Sequence, residues 1–408
     1  MDLFDKHAGV LARHAEVTAS GADPFAVCME EVLSPTEALI DGKRVLLLGT
    51  NNYLGLTFDP DCIQAAQGAI ASDGTGTTGS RIANGTYARH LQLETEIAEF
   101  LGYREAMVFP TGFQANLGLI AGLTGPKDII LIDADCHASI YDGCTLSGAT
   151  VIRFRHNDPA DLDKRLRRIG EDCSNVLIIV ESIYSMFGDQ APLKEICAVK
   201  KAHNAYLMVD EAHSLGVLGD GGRGQVQAEE CVEDVDFIVG TFSKSLGALG
   251  GLVASSHPKF GILRYASRPY MFTASASPSN VASVRAALRK LRDRPELQQQ
   301  VWRNARQLYA GLAELGFELC ADESAIVAVV AEDEETAIYM WNKLLAAGVY
   351  ANLALPPGTP NSTCLLRCSL SAAHSSDQVE EVIRAFAAVK QELEAFRATQ
   401  GAHAVEAR

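Results

Sequence analysis

Short, continuously apolar runs alternate with longer mixed stretches through the middle of the chain. Such runs are typical of buried strands, and apolar residues that repeat at helical spacing indicate helices between them. The predicted strands cover residues 106–109, 128–132, 150–154, 176–180, 206–209 and 235–239, and the predicted helices cover 60–70, 87–101, 114–123, 162–169 and 193–203. Continuously apolar strands separated by helices predict a mainly parallel sheet that helices cover on both faces.

The two ends of the chain show other patterns. Helices are predicted at 3–17 and 24–33, a hairpin at 37–48, an irregular stretch at 264–279, a long helical region at 281–315, strands at 326–330 and 365–369, and helices at 335–347 and 377–396. We therefore expect an N-terminal arm and hairpin over 1–50, a large α/β domain over 51–285 and a smaller α+β domain over 286–408.

Composition and charge narrow the class of protein. The chain has 408 residues, of which 48% are apolar and 21% charged, as in soluble globular proteins. The net charge of −16, from 51 acidic and 35 basic residues, opposes binding to nucleic acid and to anionic membranes. The charge therefore disfavours both classes of partner.

The targeting and cysteine patterns predict a cytoplasmic protein. The start, Met1-Asp2-Leu3-Phe4-Asp5-Lys6, shows no signal peptide, and no apolar stretch approaches the ~20 residues that span a bilayer. The ten cysteines include no C-x-x-C pair, and Cys364 and Cys368 have no second pair to form a metal site with. Reduced thiols are the expectation, and no metal site is predicted.

A lysine among small residues follows the strand predicted at 235–239. The stretch Gly240-Thr241-Phe242-Ser243-Lys244-Ser245-Leu246-Gly247-Ala248-Leu249-Gly250-Gly251 lets the backbone turn closely around a bulky group and holds one amine against it. One interpretation is a lysine that forms an imine with an aldehyde cofactor. The other is a glycine-rich loop with an exposed lysine.

A carboxylate and a histidine follow another predicted strand, at 206–209. Asp210 should emerge at the carboxyl edge of the sheet, where a buried carboxylate can keep a pyridine nitrogen protonated. His213 could then hydrogen-bond a hydroxyl on the same ring. The alternative is that Asp210 caps a helix and His213 is an ordinary polar residue.

Other strand ends carry residues that suit the same ligand. His137 could stack on an aromatic cofactor, and the helix that begins near Gly112 could bind a phosphate together with hydroxyl groups. The residues concerned are His137, Thr111, Gly112, Phe113, Thr241, Ser243, Glu181 and Ser185. Five strand ends thus point to one ligand, and their convergence outweighs any single motif.

Two other motifs suggest nucleotide chemistry but lack its context. Gly74-Thr75-Gly76-Thr77-Thr78-Gly79 matches a dinucleotide-binding pattern, yet a helix rather than a strand is predicted before it. Asp210-Glu211-Ala212-His213 spells a helicase box, but no phosphate-binding loop of the matching type accompanies it. Both nucleotide interpretations are disfavoured.

Four motifs in this order resemble a known family. They are Asn51-Asn52-Tyr53-Leu54-Gly55, His137-Ala138-Ser139, Asp210-Glu211-Ala212-His213-Ser214 and Thr241-Phe242-Ser243-Lys244. Together they look like the α-oxoamine synthases over about residues 24–386. The resemblance implies the fold-type I, aminotransferase-like architecture and pyridoxal 5'-phosphate as cofactor.

The resemblance also implies roles for individual residues. Lys244 would bond to the cofactor and later act as acid and base, and Asp210 would pair with the pyridinium. The remaining cofactor-binding residues would be His137, His213, Gly112, Phe113, Glu181, Ser185, Thr241, Ser243 and Thr273, the last from a second subunit, and the substrate-binding residues Asn52, Tyr53 and Arg367. A homodimer is implied.

Further stretches, such as Arg268-Pro269-Tyr270-Met271-Phe272-Thr273, are similar to members that condense L-serine with a long-chain acyl-CoA. Such members often have an arginine where this chain has Leu355, before Pro356-Pro357. If that arginine assists carboxylate binding in those members, its contribution is absent in this chain or is supplied by another residue. The alternatives are a relative that uses glycine or alanine with a shorter acyl thioester, and a non-catalytic scaffold subunit.

Overall fold

The structure, a computed structural model, describes residues 2–19 and 21–406. Its helices are α1 (Ala8–Thr18), α2 (Pro60–Asp73), α3 (Ala88–Leu101), α4 (Gly112–Leu123), α5 (Ala138–Ser147), α6 (Pro159–Ile169), α7 (Leu193–His203), α8 (Gln225–Ala228), α9 (Leu263–Ala266), α10 (Arg268–Met271), α11 (Pro278–Asp293), α12 (Pro295–Glu314), α13 (Glu334–Ala346) and α14 (Ser376–Glu406). Met1, Ser20, Ala407 and Arg408, which fall within the predicted N-terminal and C-terminal regions, lie outside the described residues.

The strands are β1 (Glu31–Ser34), β2 (Glu37–Ile40), β3 (Lys43–Leu47), β4 (Glu105–Phe109), β5 (Ile129–Asp133), β6 (Thr150–Phe154), β7 (Val176–Glu181), β8 (Tyr206–Asp210), β9 (Phe237–Thr241), β10 (Gly251–Ser255), β11 (Ile326–Ala331), β12 (Val349–Tyr350), β13 (Asn352–Ala354) and β14 (Cys364–Ser369). The chain forms two compact units. The larger comprises Asn51–Ser185 and Asp189–Val301, and the smaller comprises the described parts of Met1–Thr50, Met186–Gly188 and Trp302–Arg408. The domain boundaries predicted from the sequence stay a prediction.

A seven-stranded sheet forms the centre of the larger unit, in the order β4-β10-β9-β8-β7-β5-β6. The strands from β9 to β6 are parallel, which confirms the predicted mainly parallel sheet. All six residues of β7 are buried, as expected for a strand covered on both faces. The carboxyl ends of β5, β7, β8 and β9 therefore meet at one edge of the sheet.

One strand of this sheet was not predicted. β10 runs antiparallel to both β4 and β9, and its first residue, Gly251, pairs with Thr241 and Phe109. The short apolar run was hidden by the glycine-rich stretch before it. Because β10 pairs with the end of β9, that strand extends to Thr241 and begins at Phe237, two residues later than predicted. Lys244 thus lies in the loop between two paired strands.

The smaller unit contains two separate sheets. One has the order β1-β2-β3-β12 and the other β11-β14-β13. The predicted helix at 24–33 is wrong, because this stretch ends in strand β1, which pairs with β2 across a turn at Pro35. Val27 and Met29 pack against the core of this sheet, and their spacing of two is that of an extended chain.

Three helical segments differ from what the sequence predicts. The region 281–315 is two helices, because Pro295 lacks an amide hydrogen and disfavours a helical residue before it; Arg294 has φ −130° and ψ 62°. The stretch 264–279 contains the one-turn helices α9 and α10 rather than only irregular chain. Helix α5 was not predicted, since its polar and glycine-containing sequence has little apolar periodicity.

Within residues 2–19 and 21–406, we find no helix with the length and apolar character of a membrane span. All ten cysteines are free thiols, and most of them are buried.

Candidate active site

A cavity of about 260 Å³ opens at the carboxyl ends of the parallel strands of the larger unit. It is lined by Thr111, Gly112, Phe113, Asn116, His137, Ser139, Glu181, Asp210, Ala212, His213, Val239, Gly240, Thr241, Ser243 and Lys244. Ten of the residues singled out in the sequence are among these: Thr111, Gly112, Phe113, His137, Glu181, Asp210, His213, Thr241, Ser243 and Lys244. Residues far apart in the sequence therefore share one site because their strands end at one edge.

Lys244 reaches the cavity from the loop after β9. The loop turns sharply, with the amide of Gly247 donating to the Lys244 carbonyl at 3.0 Å. Gly247 has φ +62°, and a Cβ there would lie 2.9 Å from the backbone nitrogen of Thr57, so only glycine fits without strain. Phe242 beneath the loop is buried. The half-buried Lys244 is thus presented by a rigid turn rather than by a flexible surface loop.

Asp210 stands at the end of β8 and is 5% exposed. Its Oδ2 accepts a hydrogen bond from Asn116 Nδ2 at 2.8 Å, and its Oδ1 accepts one from the Ala212 amide at 2.9 Å. The chain after Asp210 forms turns, so within the described residues no helix begins there for it to cap. A carboxylate held by two donors at a cavity wall suits a cationic partner.

His213 is buried beside the cavity and is held by a tyrosine. The hydroxyl of Tyr53 lies 2.7 Å from His213 Nδ1, and the two rings meet edge to face with centroids 6.1 Å apart. Tyr53 has no exposed surface, and Asn52 donates to Thr57 Oγ1 at 2.8 Å. Neither Tyr53 nor Asn52 lines the cavity, and their predicted contact with substrate stays a prediction.

His137 caps the start of α5 and faces the open cavity. Part of the residue is exposed, yet loss of solvation lowers the pKa of the ring; the charge of Lys244 lowers it further, whereas Asp210 opposes the change. The His137 backbone amide donates to Glu181 Oε1 in a short contact. An imidazole with a lowered pKa is neutral near pH 7, which suits a ring that stacks on another ring.

Glu181, at the end of β7, is a buried carboxyl group on the cavity wall. Burial raises its pKa well above the usual range, and the neighbouring Asp210 raises it further, while Lys244 and the His137 amide act in the opposite direction. Two carboxyl groups that share one low-dielectric site resist ionising together. Asp210, which accepts from two hydrogen-bond donors, is the better placed of the two to face a cationic group.

The start of α4 lines one part of the cavity. Thr111 caps the helix by accepting from the Gln114 amide at 3.1 Å, and the amides of the first turn have no partner within the helix itself. A Cβ on Gly112 would lie 2.8 Å from that of Thr241, so glycine lets the helix start approach the end of β9. Thr241 Oγ1 and Ser243 Oγ lie 2.8 Å apart nearby. Amides, hydroxyls and a helix dipole together suit an anion.

Three predicted residues lie elsewhere. Ser185 is in the turn after β7 and is not among the cavity residues. Thr273 follows α10, and its hydroxyl accepts from Gln114 Nε2 at 3.2 Å. Arg367 belongs to β14 of the smaller unit, where it is 5% exposed and donates to Ser369 Oγ at 2.8 Å. Their predicted roles in binding cofactor or substrate stay predictions.

Asn116 was not predicted as a site residue, and Ser139 was noticed only as part of a motif. Asn116 follows Gly112 by one helical turn and thus shares its face of α4. An amide side chain on the buried face of an otherwise apolar helix was the available signal. Its partners, Asp210 and Ser139, come from distant parts of the sequence, so nothing in the local pattern reveals its role.

A second polar cluster supports the loops around the site. His156 donates through both ring nitrogens, to Asp133 Oδ1 at 2.8 Å and to Asp189 Oδ2 at 2.7 Å, and packs edge-on against Tyr184. Burial alone would lower the pKa of His156, but the two carboxylates outweigh it and raise the pKa to about 10. Asp133 ends β5, four residues before His137, so the cluster fixes that segment.

Replacement of His156 is expected to make stability depend on pH. Because the folded pKa lies above the unfolded value of about 6.5, the stabilisation is complete below that pH and disappears as the pH rises through about 10. His156→Gln should cost about 3 kcal/mol near pH 6 and much less above pH 10, as measured by urea unfolding. His203→Gln, which removes a histidine paired with Asp163 alone, should cost less at both pH values. An equal loss from His156→Gln at both pH values would contradict the ionic role of this histidine.

The fold and the cavity together define a class of protein. A mainly parallel sheet presents an amine, a carboxylate, two histidines and an anion-binding helix start around one cavity. Pyridoxal phosphate, an aldehyde with a pyridine ring and a phosphate, fits these groups. Lys244 would bond to the aldehyde, Asp210 would face the ring nitrogen, and the start of α4 at Gly112 would bind the phosphate. This is the fold-type I, aminotransferase-like class.

Comparison with known proteins agrees with this class. The family model described as aminotransferase class I and II matches residues 43–386. A serine palmitoyltransferase of Caulobacter vibrioides (strain NA1000 / CB15N) is 56% identical over 386 residues, which are 95% of this chain and 96% of that protein. The serine palmitoyltransferase of Sphingomonas paucimobilis is 50% identical, covering 95% and 93%.

A solved structure, described as SPT with PLP internal aldimine, superposes with a TM-score of 0.94 at 49% identity and covers 97% of this chain and 100% of that one. The chain belongs to the aminotransferase class I and II family. Within that family the resemblance to the α-oxoamine synthases, and to serine palmitoyltransferases in particular, is confirmed.

Proposed function

We propose that this protein is a serine palmitoyltransferase. With pyridoxal phosphate as cofactor, it joins L-serine to the acyl group of a long-chain acyl-CoA such as palmitoyl-CoA. Free CoA and carbon dioxide leave, and 3-ketodihydrosphinganine, a precursor of sphingolipids, is the product. The observation that carries the proposal is the convergence of Lys244, Asp210 and His137 on one cavity in a chain that shares half or more of its residues with two serine palmitoyltransferases.

Different residues of the protein have different proposed roles around the cofactor. When bound, the cofactor supplies an aldehyde that condenses with amines and a pyridine ring that withdraws electrons from the substrate. Asp210 would hold the proton on the ring nitrogen, because its buried carboxylate faces the cavity with two donors fixing it. His213, held by Tyr53, would donate to the ring oxygen, and the neutral ring of His137 would stack against the pyridine.

Lys244 is the proposed acid and base. Its amine, presented by the turn after β9 at the cavity, would bond to the cofactor aldehyde in the resting protein and would take the proton from serine Cα during the reaction. Thr241, Ser243 and the start of α4 would hold the phosphate and thereby fix the distance between Lys244 and the reacting carbon. Arg367 is proposed to bind the serine carboxylate through two parallel hydrogen bonds.

The assembly and compartment are also proposals. We infer a homodimer in which Thr273 serves the partner's phosphate site, since Thr273 does not line the cavity of its own chain. Light scattering should give about twice 43.7 kDa. The ten free thiols support a reducing, cytoplasmic location.

The deciding assay pairs amino acids with acyl-CoAs. Release of free thiol from palmitoyl-CoA should be rapid with L-serine and at least about tenfold slower with glycine or alanine, a difference of about 1.4 kcal/mol. Leu355, which is 8% exposed, stands where the family resemblance leads us to expect an arginine, so we propose that serine binding rests on other groups. If glycine with a short acyl-CoA proves the better pair, the protein is a related synthase instead. Protein that contains the cofactor but releases no thiol with any pair would point to a scaffold subunit.

A further inference from the structure

A chain of hydrogen bonds connects Asp210 with His137 through the wall of the cavity. Asn116 of α4 is 3% exposed, and its Nδ2 lies 2.8 Å from Asp210 Oδ2 and 2.9 Å from Ser139 Oγ. Ser139, in the first turn of α5, is 1% exposed, and its Oγ lies 2.7 Å from His137 Nδ1. Three separate elements, α4, α5 and the end of β8, are thus linked by two side chains.

The donors and acceptors in this chain can be assigned by chemistry. An ionised carboxylate only accepts, so the Asn116 atom that faces Asp210 must be the amide nitrogen. One hydrogen of this nitrogen points to Asp210 and the other to Ser139 Oγ. The Ser139 hydroxyl accepts from Asn116 and has its own proton left to donate to His137 Nδ1.

A second donor meets the same ring nitrogen. The backbone amide of Ser139 lies 3.2 Å from His137 Nδ1, and a backbone N–H can only donate. Nδ1 therefore accepts from both the hydroxyl and the backbone amide of Ser139 and carries no proton. The hydrogen of the neutral ring is then on Nε2. A protonated ring would bring its Nδ1–H against the Ser139 amide, an unfavourable meeting of two donors.

We propose that Asn116 is a positioning residue, which holds His137 through Ser139 in the neutral tautomer with hydrogen on Nε2 and at the same time fixes the carboxylate of Asp210. One amide group thus sets both the ring proposed to stack on the cofactor and the carboxylate proposed to face its nitrogen. The inference rests on the proposed function only for the cofactor that these two groups would face.

The surrounding charges are consistent with a neutral ring. Asp210 and Asp142 favour protonation of His137, whereas Lys244 and the loss of solvation lower its pKa. Because these influences partly cancel, the direction in which the Ser139 hydroxyl points can determine the protonation state and tautomer of His137. Without the Asn116 donor, that hydroxyl is free to rotate and accept from Nδ1, which makes the charged ring and the other tautomer accessible.

The test is a measurement on cofactor-free protein labelled with ¹⁵N-histidine. Long-range ¹H–¹⁵N spectra report which ring nitrogen carries the proton, and a His137→Gln variant identifies the signal. In the unmodified protein His137 should show an unprotonated Nδ1 and a protonated Nε2 between about pH 6 and pH 8. In Asn116→Leu the titration midpoint should rise by about 0.7 pH unit, the amount that a hydrogen bond of ~1 kcal/mol supplies.

Two further variants keep the test independent of folding problems. Ser139→Ala removes the hydroxyl and keeps the backbone amide, and should also raise the midpoint. Asn304→Leu is the matched control, because Asn304 is a buried asparagine on α12 that donates to the carbonyls of Ser371 and His374, each at 2.8 Å. This control should lose stability but leave the His137 signal unchanged.

The possible outcomes separate the two proposals. A midpoint and tautomer that stay unchanged in both Asn116→Leu and Ser139→Ala would overturn the positioning role, because helix capping by the Ser139 amide would then suffice. A changed midpoint in protein that makes no ketone from any amino acid would support the positioning role and reject the proposed function.

Discussion

Lys244→Ala is expected to lower turnover with L-serine and palmitoyl-CoA by about 10³-fold or more. The variant loses the amine that bonds to the cofactor aldehyde and the base that takes the Cα proton, and general base catalysis alone contributes about 10²–10⁴-fold. The resting protein should also lose its visible absorption band, and borohydride should no longer attach the cofactor to the chain. Thiol release, absorption spectra and peptide mapping measure the three effects.

The control for this variant is another lysine of the same unit. Lys259 is exposed beyond the end of β10 and does not line the cavity, so Lys259→Ala should keep both the absorption band and the turnover. The cavity wall should survive in Lys244→Ala, because Gly247 and Phe242 rather than Lys244 shape the turn. Normal turnover in Lys244→Ala would reject the proposed chemistry altogether.

The sequence predicts most of the larger unit because its strands are buried on both faces. All six residues of β7 are buried, and such a short, continuously apolar run is what a strand covered on both faces requires. The same reasoning places Asp210 and Lys244 at one sheet edge, since parallel strands end together. Strand β10 escaped prediction because its antiparallel position between β4 and β9 is set by pairing with those strands, which no local pattern records.

In other parts of the chain, strand pairing and contacts of single residues determined the structure more strongly than the local sequence pattern. The stretch before Ser34 has the composition of a helix but becomes a strand because β2 lies across the turn from it. Asn116 could not be assigned, because its significance comes from Asp210 and Ser139, which the fold brings to it. Secondary structure and site residues are therefore predicted correctly where the local sequence is sufficient to determine them. The prediction fails where they depend on contacts with residues distant in sequence.

Asp210→Asn is expected to weaken cofactor binding and to lower turnover by about 10²–10³-fold, the usual loss when a buried electrostatic partner is removed. The substitution keeps the shape of the side chain but removes its charge, so the ring nitrogen would no longer be held protonated. Equilibrium dialysis against pyridoxal phosphate and the thiol assay measure the two effects. Turnover within about twofold of normal would show that the carboxylate is not the ring partner.

Charge and hydrogen bonding at this position can be separated by exchanging two residues. In Asp210→Asn alone, the new amide has one oxygen for two donors, Asn116 Nδ2 and the Ala212 amide, so one donor must face an NH₂ group. The double variant Asp210→Asn with Asn116→Asp restores a donor–acceptor pair and the net charge, but moves the carboxylate from the strand end to α4. We expect thermal stability to recover, because the buried pair is satisfied again. Cofactor affinity and turnover should stay low, since the negative charge no longer stands at position 210 and position 116 no longer donates to Ser139. Recovery of turnover in the double variant would mean that the hydrogen bond, rather than the placement of the charge, is what the reaction requires.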